Sequence, residues 1–76
     1  MNAMDKTPES HLLDANPGAR EHIQSLPEFQ QWRARVPKVE IDGETFGIIG
    51  GDRLMDDDQL MVEWARLFRP GLIREV

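Results

Sequence analysis

Apolar and polar residues alternate on either side of Asp42-Gly43, and this alternation is the strongest structural signal in the chain. An Asp-Gly pair favours a type I′ turn, because both central residues of that turn have positive φ. A two-residue turn pairs Ile41 with Glu44, which fixes the register of a β-hairpin. Its apolar face, which we expect the helices to cover, is Val39, Ile41, Phe46 and Ile48, and its polar face is Lys38, Glu40 and Thr45.

A long amphipathic helix is predicted after the hairpin, and it carries both start and stop signals. Asp56 and Gln59 have the spacing of a capping box, in which each side chain accepts a hydrogen bond from the other residue's amide. Met55 and Leu60 flank the cap as a hydrophobic staple. Pro70-Gly71 ends the helix. Its apolar stripe is Leu60, Met61, Trp64, Leu67 and Phe68.

Two short helices are predicted before the hairpin. Asn16-Pro17-Gly18 is typical of a helix start, since Asn caps unpaired amides and Pro is tolerated at the first helical position. Ser25 and Glu28 have the spacing of a second capping box, which starts another helix near Pro27. The apolar stripes are Ala19, Ile23 and Leu26 in the first helix and Phe29, Trp32 and Val36 in the second, which ends at Pro37.

The two ends of the chain carry weaker patterns. Residues 1–9 lack hydrophobic periodicity and are predicted to form a mobile tail, in which Met4 offers an alternative start that leaves residues 1–3 outside the natural protein. Residues 10–15 fit one helical turn. Residues 72–76 are a candidate third strand, because a two-stranded sheet is marginal alone. The sequence therefore predicts a single α+β domain over residues 10–76, with helices packed on one face of the sheet.

Composition narrows the possible functions. A chain of 76 residues buries only about 60% of the surface that its unfolded form exposes, which leaves little room for a deep cleft beside the core. The net charge of −5 disfavours nucleic acid and anionic membranes as partners. The chain has no cysteine, signal pattern or membrane-length apolar run, and we therefore expect a small acidic protein in the cytoplasm.

An acidic run after the hairpin resembles a calcium loop only in part. Asp52 and Glu63 match positions 1 and 12 of such a loop, but Leu54 and Asp57 break the motif at positions 3 and 6. We interpret Asp56–Asp58 as acidic residues that interact with the positive end of the following helix. Weak cation binding by this run remains open as an alternative.

Other chemistry-bearing residues form no recognisable constellation. His11 and His22 lie in different predicted elements and lack a third metal ligand at a reinforcing spacing. Neither serine lies in a nucleophile motif, and Gly47–Gly51 lacks the Lys-Ser/Thr ending of a phosphate loop. We therefore expect no catalytic residues, no cofactor, no metal and no enzymatic activity.

The remaining candidate sites suggest binding to other macromolecules. Arg33, Arg35 and Lys38 form a basic patch on the second helix and its exit, which suits an acidic protein surface or nucleic acid. Tryptophan is a common interface anchor. We expect a non-enzymatic interaction or accessory protein that self-associates into a homo-oligomer, with pairing at the free sheet edges. The alternative is a nucleic-acid-associated regulator that uses the basic patch. The candidate interaction residues are Trp32, Arg33, Arg35, Lys38, Glu40, Thr45 and Trp64.

Overall fold

The computed structural model describes residues 7–75, and within this range the chain forms four α-helices and one three-stranded antiparallel sheet. The predicted α+β class is therefore confirmed. In chain order the elements are α1 (Pro8–Asp14), α2 (Ala19–Ser25), α3 (Pro27–Arg35), β1 (Lys38–Ile41), β2 (Glu44–Ile49), β3 (Arg53–Met55) and α4 (Asp57–Phe68), followed by a 3₁₀ turn at Pro70–Leu72. No helix within residues 7–75 is long and apolar enough to cross a membrane.

The hairpin has the predicted register and turn. Ile41 pairs with Glu44 across the turn. Asp42 and Gly43 have φ values of 53° and 82°, as a type I′ turn requires. The pairing continues past β1, where the Ile48 amide donates to the Pro37 carbonyl at 2.8 Å.

The third strand is β3, and the prediction of a strand near the C-terminus is wrong over the described residues 72–75, with Val76 outside the described range. Gly50 and Gly51 both have positive φ and turn the chain back along β2, which gives the strand order β1-β2-β3. The C-terminal segment packs against the helices instead of the sheet. Ile73 lies buried in the same cluster as the apolar side of α4.

Three helices, rather than two, precede the sheet. α1 begins at Pro8, and Thr7 caps it by accepting a hydrogen bond from the Ser10 amide at 3.1 Å. Of the segment predicted as a single helical turn, residues 10–14 therefore belong to a seven-residue helix. The tail predicted over residues 1–9 overlaps this helix at Pro8 and Glu9, and its residues 1–6 lie outside the described part of the chain.

The capping box predicted at Ser25 is wrong. Ser25 is the last residue of α2, and its hydroxyl donates to the His22 carbonyl at 2.7 Å. The residue that precedes α3 is Leu26, which makes no side-chain cap. Pro27 explains why none is needed at the first position, since its ring presets the helical φ and it has no N–H to satisfy.

Asn16 is not the cap of α2 either, because that helix begins after Gly18, whose φ is 85°. The Asn16 amide nitrogen donates to the Leu12 and Arg74 carbonyls at 2.9 and 3.1 Å. Its oxygen accepts from the Arg74 amide at 2.8 Å. Asn16 therefore fastens the C-terminal segment to the corner between α1 and α2.

The capping box and staple predicted for α4 are confirmed. The Asp56 carboxylate accepts from the Gln59 amide at 2.9 Å, and the Gln59 side chain accepts from the Asp56 amide at 3.0 Å. Met55 and Leu60 are buried in one cluster, as the staple requires. The stripe is buried only in part: Leu60, Met61 and Trp64 are covered, whereas Leu67 and Phe68 are exposed in the last turn.

α4 is the element on which the core is built, since it contacts the other three helices, β2, β3 and the 3₁₀ turn. A large cluster lies between α4 and the N-terminal helices, and a smaller one lies between α4 and the sheet. The large cluster is Leu13, Ala19, Ile23, Phe29, Met61, Val62, Trp64, Ala65 and Ile73, and the small one is Val36, Met55 and Leu60.

Candidate functional site

Gly47, in β2, shows which face of the sheet the helices cover. A Cβ atom on Gly47 would lie 3.0 Å from both a Leu60 methyl and a Val36 methyl, so the Gly47 side of the sheet meets α4. Met55 pairs with Gly47 and is buried on the same side, and Ile49 also packs there. Since successive side chains of a strand point to opposite faces, the residues between these positions face away from the helices.

The face that points away from the helices is apolar and uncovered by the described residues. Ile41 is 41% exposed and Leu54 is 46% exposed, and the other members are half-buried. None of its residues belongs to either core cluster. We call this surface the open sheet face; its residues are Val39, Ile41, Phe46, Ile48 and Leu54.

The expectation that the helices cover the apolar face of the hairpin is wrong. The division into two faces is correct, but Lys38, Glu40 and Thr45 lie on the helix side. They are nevertheless exposed, because the helices cover the sheet near Gly47 and not near the hairpin tip. Alternation separates two faces but does not identify the buried one. At Gly47 the small residue, not an apolar side chain, permits the closest packing.

The predicted basic patch is largely engaged in contacts within the chain. Arg33 donates two hydrogen bonds to Asp57, at 2.9 and 2.7 Å. The Lys38 ammonium donates to the carbonyls of Arg33 and Val36. Among the described residues, Arg35 makes no hydrogen bond or ion pair and is exposed. The structure thus leaves one of the three cations available for a partner.

The two tryptophans differ in exposure. Trp64 is 2% exposed and its ring meets that of Phe29 edge to face, with centroids 5.7 Å apart. Trp32 is half-buried and packs against both core clusters. Phe68 extends the aromatic row, 6.1 Å from Trp64. Trp64 therefore belongs mainly to the core, whereas Trp32 has surface to offer.

A shallow groove lies between α3 and α4 beside this aromatic row, with a volume of about 290 Å³. Arg69 lies over the Trp64 ring, with its guanidinium carbon 5.8 Å from the ring centroid. The same guanidinium donates to the Phe68 carbonyl at 2.9 Å and to Glu28 at 3.4 Å. We call this surface the aromatic groove; its lining residues are Glu28, Gln31, Trp32, Arg35, Trp64, Phe68 and Arg69.

The acidic run at the start of α4 is used in internal contacts. Asp56 caps the helix, Asp57 pairs with Arg33, and Asp58 accepts two hydrogen bonds from Arg20 at 3.1 and 3.0 Å. The bond from Arg20 to Asp58 is the main cause that raises the pKa of the arginine. Across residues 7–75, no group of three or more histidine, aspartate or glutamate side chains is arranged to hold a metal ion.

No protein-family model matches the chain, and no curated protein or solved structure matches it significantly. Two surfaces of the described residues combine exposed apolar area with a defined geometry: the open sheet face and the aromatic groove.

Leu54 and Arg69 are two members of these surfaces that the sequence patterns do not single out as interaction residues. Leu54 follows Gly50-Gly51 in a segment too short to show alternation. Arg69 follows the apolar stripe of α4, and its position over Trp64 is a tertiary contact that no sequence spacing predicts. One sequence signal does indicate which face the helices cover: a glycine inside a strand, such as Gly47, often marks a close approach of another element. The open sheet face is then the opposite one.

Proposed function

We propose that this protein is a non-enzymatic interaction domain that self-associates through the open sheet face. The observation that supports this function is the exposure of Ile41 and Leu54 on a sheet face with no covering element among residues 7–75. A contiguous apolar patch on a folded domain usually marks an interaction surface. The absence of cysteine suits a reducing compartment, and we propose the cytoplasm as its location.

A second copy is the occupant that fits this face best. The register places one charged residue, Glu44, on the same side as the apolar residues, at the hairpin tip. A two-fold axis that lies between the two faces, perpendicular to the strands, puts the two Glu44 carboxylates at opposite ends of the interface. Apolar side chains then meet apolar side chains, in the manner of two sheets packed about 10 Å apart.

The size of the face indicates a weak and reversible dimer. Strands of four, six and three residues, with a rise of about 3.4 Å per residue and a spacing of about 4.8 Å, present a footprint on the order of 200 Å² per copy. Stable interfaces bury roughly 800 Å² per partner. We therefore expect association that rises steeply with protein concentration rather than a permanent dimer.

The sheet edges are less suited to self-association than the face. The edge strand β1 carries the charged residues Lys38 and Glu40, and the other edge strand, β3, has three residues. Charged and short edge strands are the usual means by which proteins prevent edge-to-edge pairing. Association through the face leaves both edges solvated.

The unmodified chain and Leu54→Glu should differ in association. Light scattering after size-exclusion chromatography should show a mass that increases from monomer toward dimer with loading concentration. Leu54→Glu should remain monomeric throughout, because each copy would bury an unpaired carboxylate in the interface. Leu54 is 46% exposed in the single chain, so the variant should fold.

Gln24→Glu is the matched control, since it adds the same charge at an exposed position on α2. It should associate like the unmodified chain. A strictly monomeric unmodified chain would contradict self-association. Equal association of Leu54→Glu and Gln24→Glu would show that the copies meet through another surface.

The nucleic-acid alternative finds less support. Of its three proposed cations, Arg33 and Lys38 are bonded to Asp57 and to backbone carbonyls. A single remaining arginine on a chain of net charge −5 offers little phosphate neutralisation. A mobility shift of DNA at low salt that is lost steeply as salt is added would support this alternative function.

A further inference from the structure

We propose that the aromatic groove binds a peptide segment in which acidic residues flank a large apolar side chain. The groove shares no residue with the open sheet face, so this second interaction does not depend on self-association. It deepens the interaction role by assigning a partner of defined chemistry to a second surface.

The groove has room for a short apolar segment of a partner. Its volume of about 290 Å³ is just below the range of ligand pockets, which span roughly 300–1,000 Å³. Phe68 is 49% exposed although it belongs to the apolar stripe of α4. Neighbouring Trp32 is half-buried, so an inserted aromatic or aliphatic side chain would cover both rings.

The rim of the groove selects the charge of the partner. Arg35 and Arg69 line it together with one acidic residue, Glu28, which gives a local excess of positive charge on a chain of net charge −5. Arg35 has no partner among residues 7–75. Guanidinium groups bind carboxylates in a bidentate geometry, so acidic residues on the partner would pair with the rim arginines.

A peptide suits these features better than a nucleic acid. A nucleic-acid strand needs a row of cations along successive phosphates, whereas the rim has two arginines, of which Arg69 is already bonded to Glu28. A peptide needs only the guanidinium of Arg35 beside the apolar surface of Trp32 and Phe68.

The two tryptophans give the experiment a direct readout, because the chain has only Trp32 and Trp64. The probe is a synthetic peptide with the core Glu-Glu-Phe-Leu-Glu-Glu, which lacks tryptophan. Its titration should shift the two indole N–H signals in nitrogen–proton spectra and saturate at or below millimolar concentration. Peptides with lysine for glutamate, or with alanine for Phe-Leu, should shift neither signal.

Arg35→Glu should weaken binding at least about tenfold, because it removes a charge-assisted hydrogen bond and places a carboxylate beside the acidic peptide. Arg53→Glu is the matched control, because Arg53 is exposed on β3 and makes the same charge change away from the groove. Equal weakening by both variants, or binding of the lysine peptide as tight as that of the acidic one, would overturn the proposal. So would no indole shift at all, or tighter binding of a thymidine oligonucleotide.

Discussion

At the scale of single residues, Gly47 shows how a missing side chain can orient an entire sheet. The leucine at position 60 contacts the strand backbone directly, because no Cβ atom separates them. Every larger residue at this position would push α4 away from β2. The apolar side chains of the hairpin are consequently left on the opposite face.

Gly47→Ala should therefore destabilise the fold by about 1–3 kcal/mol, the usual cost of overpacking a core. Its added methyl would meet Leu60 and Val36 at 3.0 Å, and neither can withdraw without moving the buried cluster. Urea unfolding followed by tryptophan fluorescence measures the loss. Gly71→Ala is the control, since a Cβ atom there meets nothing within 4 Å and should leave the unfolding midpoint nearly unchanged.

The sequence predicts local features of residues much better than their tertiary surroundings. Asp42-Gly43 specifies its turn and Asp56 its cap, because both depend on neighbours within three residues. Which face of the sheet is covered at Gly47 depends on Leu60, thirteen positions away, and hydrophobic periodicity does not predict it. The pairing of Arg33 with Asp57, like the lack of a side-chain partner for Arg35 among residues 7–75, depends on how α4 lies against α3.

At the scale of elements, α3 and α4 present the same start signal but only α4 uses it. Asp56 and Gln59 exchange hydrogen bonds, whereas Ser25 ends α2 and bonds backward to His22. Proline at position 27 replaces the cap, since it presets the first turn of α3. Where a proline follows the candidate cap, a capping-box pattern is thus compatible with two helix starts, one capped by the side chain and one begun by the proline. The sequence alone does not distinguish them.

Paired alanine substitutions distinguish a used cap from an unused one. Asp56→Ala should reduce the free energy of unfolding by about 1 kcal/mol, as expected for loss of an N-cap. Ser25→Ala should cost only a few tenths, because it removes one exposed hydrogen bond at a helix end. Chemical denaturation of both variants gives the comparison. Equal losses of unfolding free energy in the two variants would show that Ser25 and Asp56 stabilise their helices alike in solution.

At the scale of the whole molecule, the C-terminal segment is held by polar contacts at two points. Asn16 binds the backbone of residue 74, and Arg66 donates two hydrogen bonds to Glu75 at 2.9 and 2.7 Å. The hydrogen bond from Arg66 lowers the pKa of the Glu75 carboxyl below its ordinary value of 4.5 and raises that of the Arg66 guanidinium. These contacts hold Ile73 against the core.

The Arg66–Glu75 contact makes the attachment of this segment sensitive to acid. Because the native pKa of Glu75 is lower than the unfolded one, the ion pair stabilises the fold above about pH 4.5 and is lost as the pH falls through the native pKa. Titration of the Glu75 side-chain carbon signal should give a midpoint below 4.5. Arg66→Gln should return the midpoint toward that value, and an unchanged midpoint would refute the contact in solution.

The contacts of α4 also bear on how the chain folds as it leaves the ribosome. The hairpin is local in sequence and can close within microseconds of its synthesis. The apolar stripes of α1, α2 and α3 cannot be fully buried so early, because the core cluster they share is completed only by α4, which is translated after them. We therefore expect the nascent chain to expose apolar helix surface, of the kind that chaperones cover, until residue 68 has emerged.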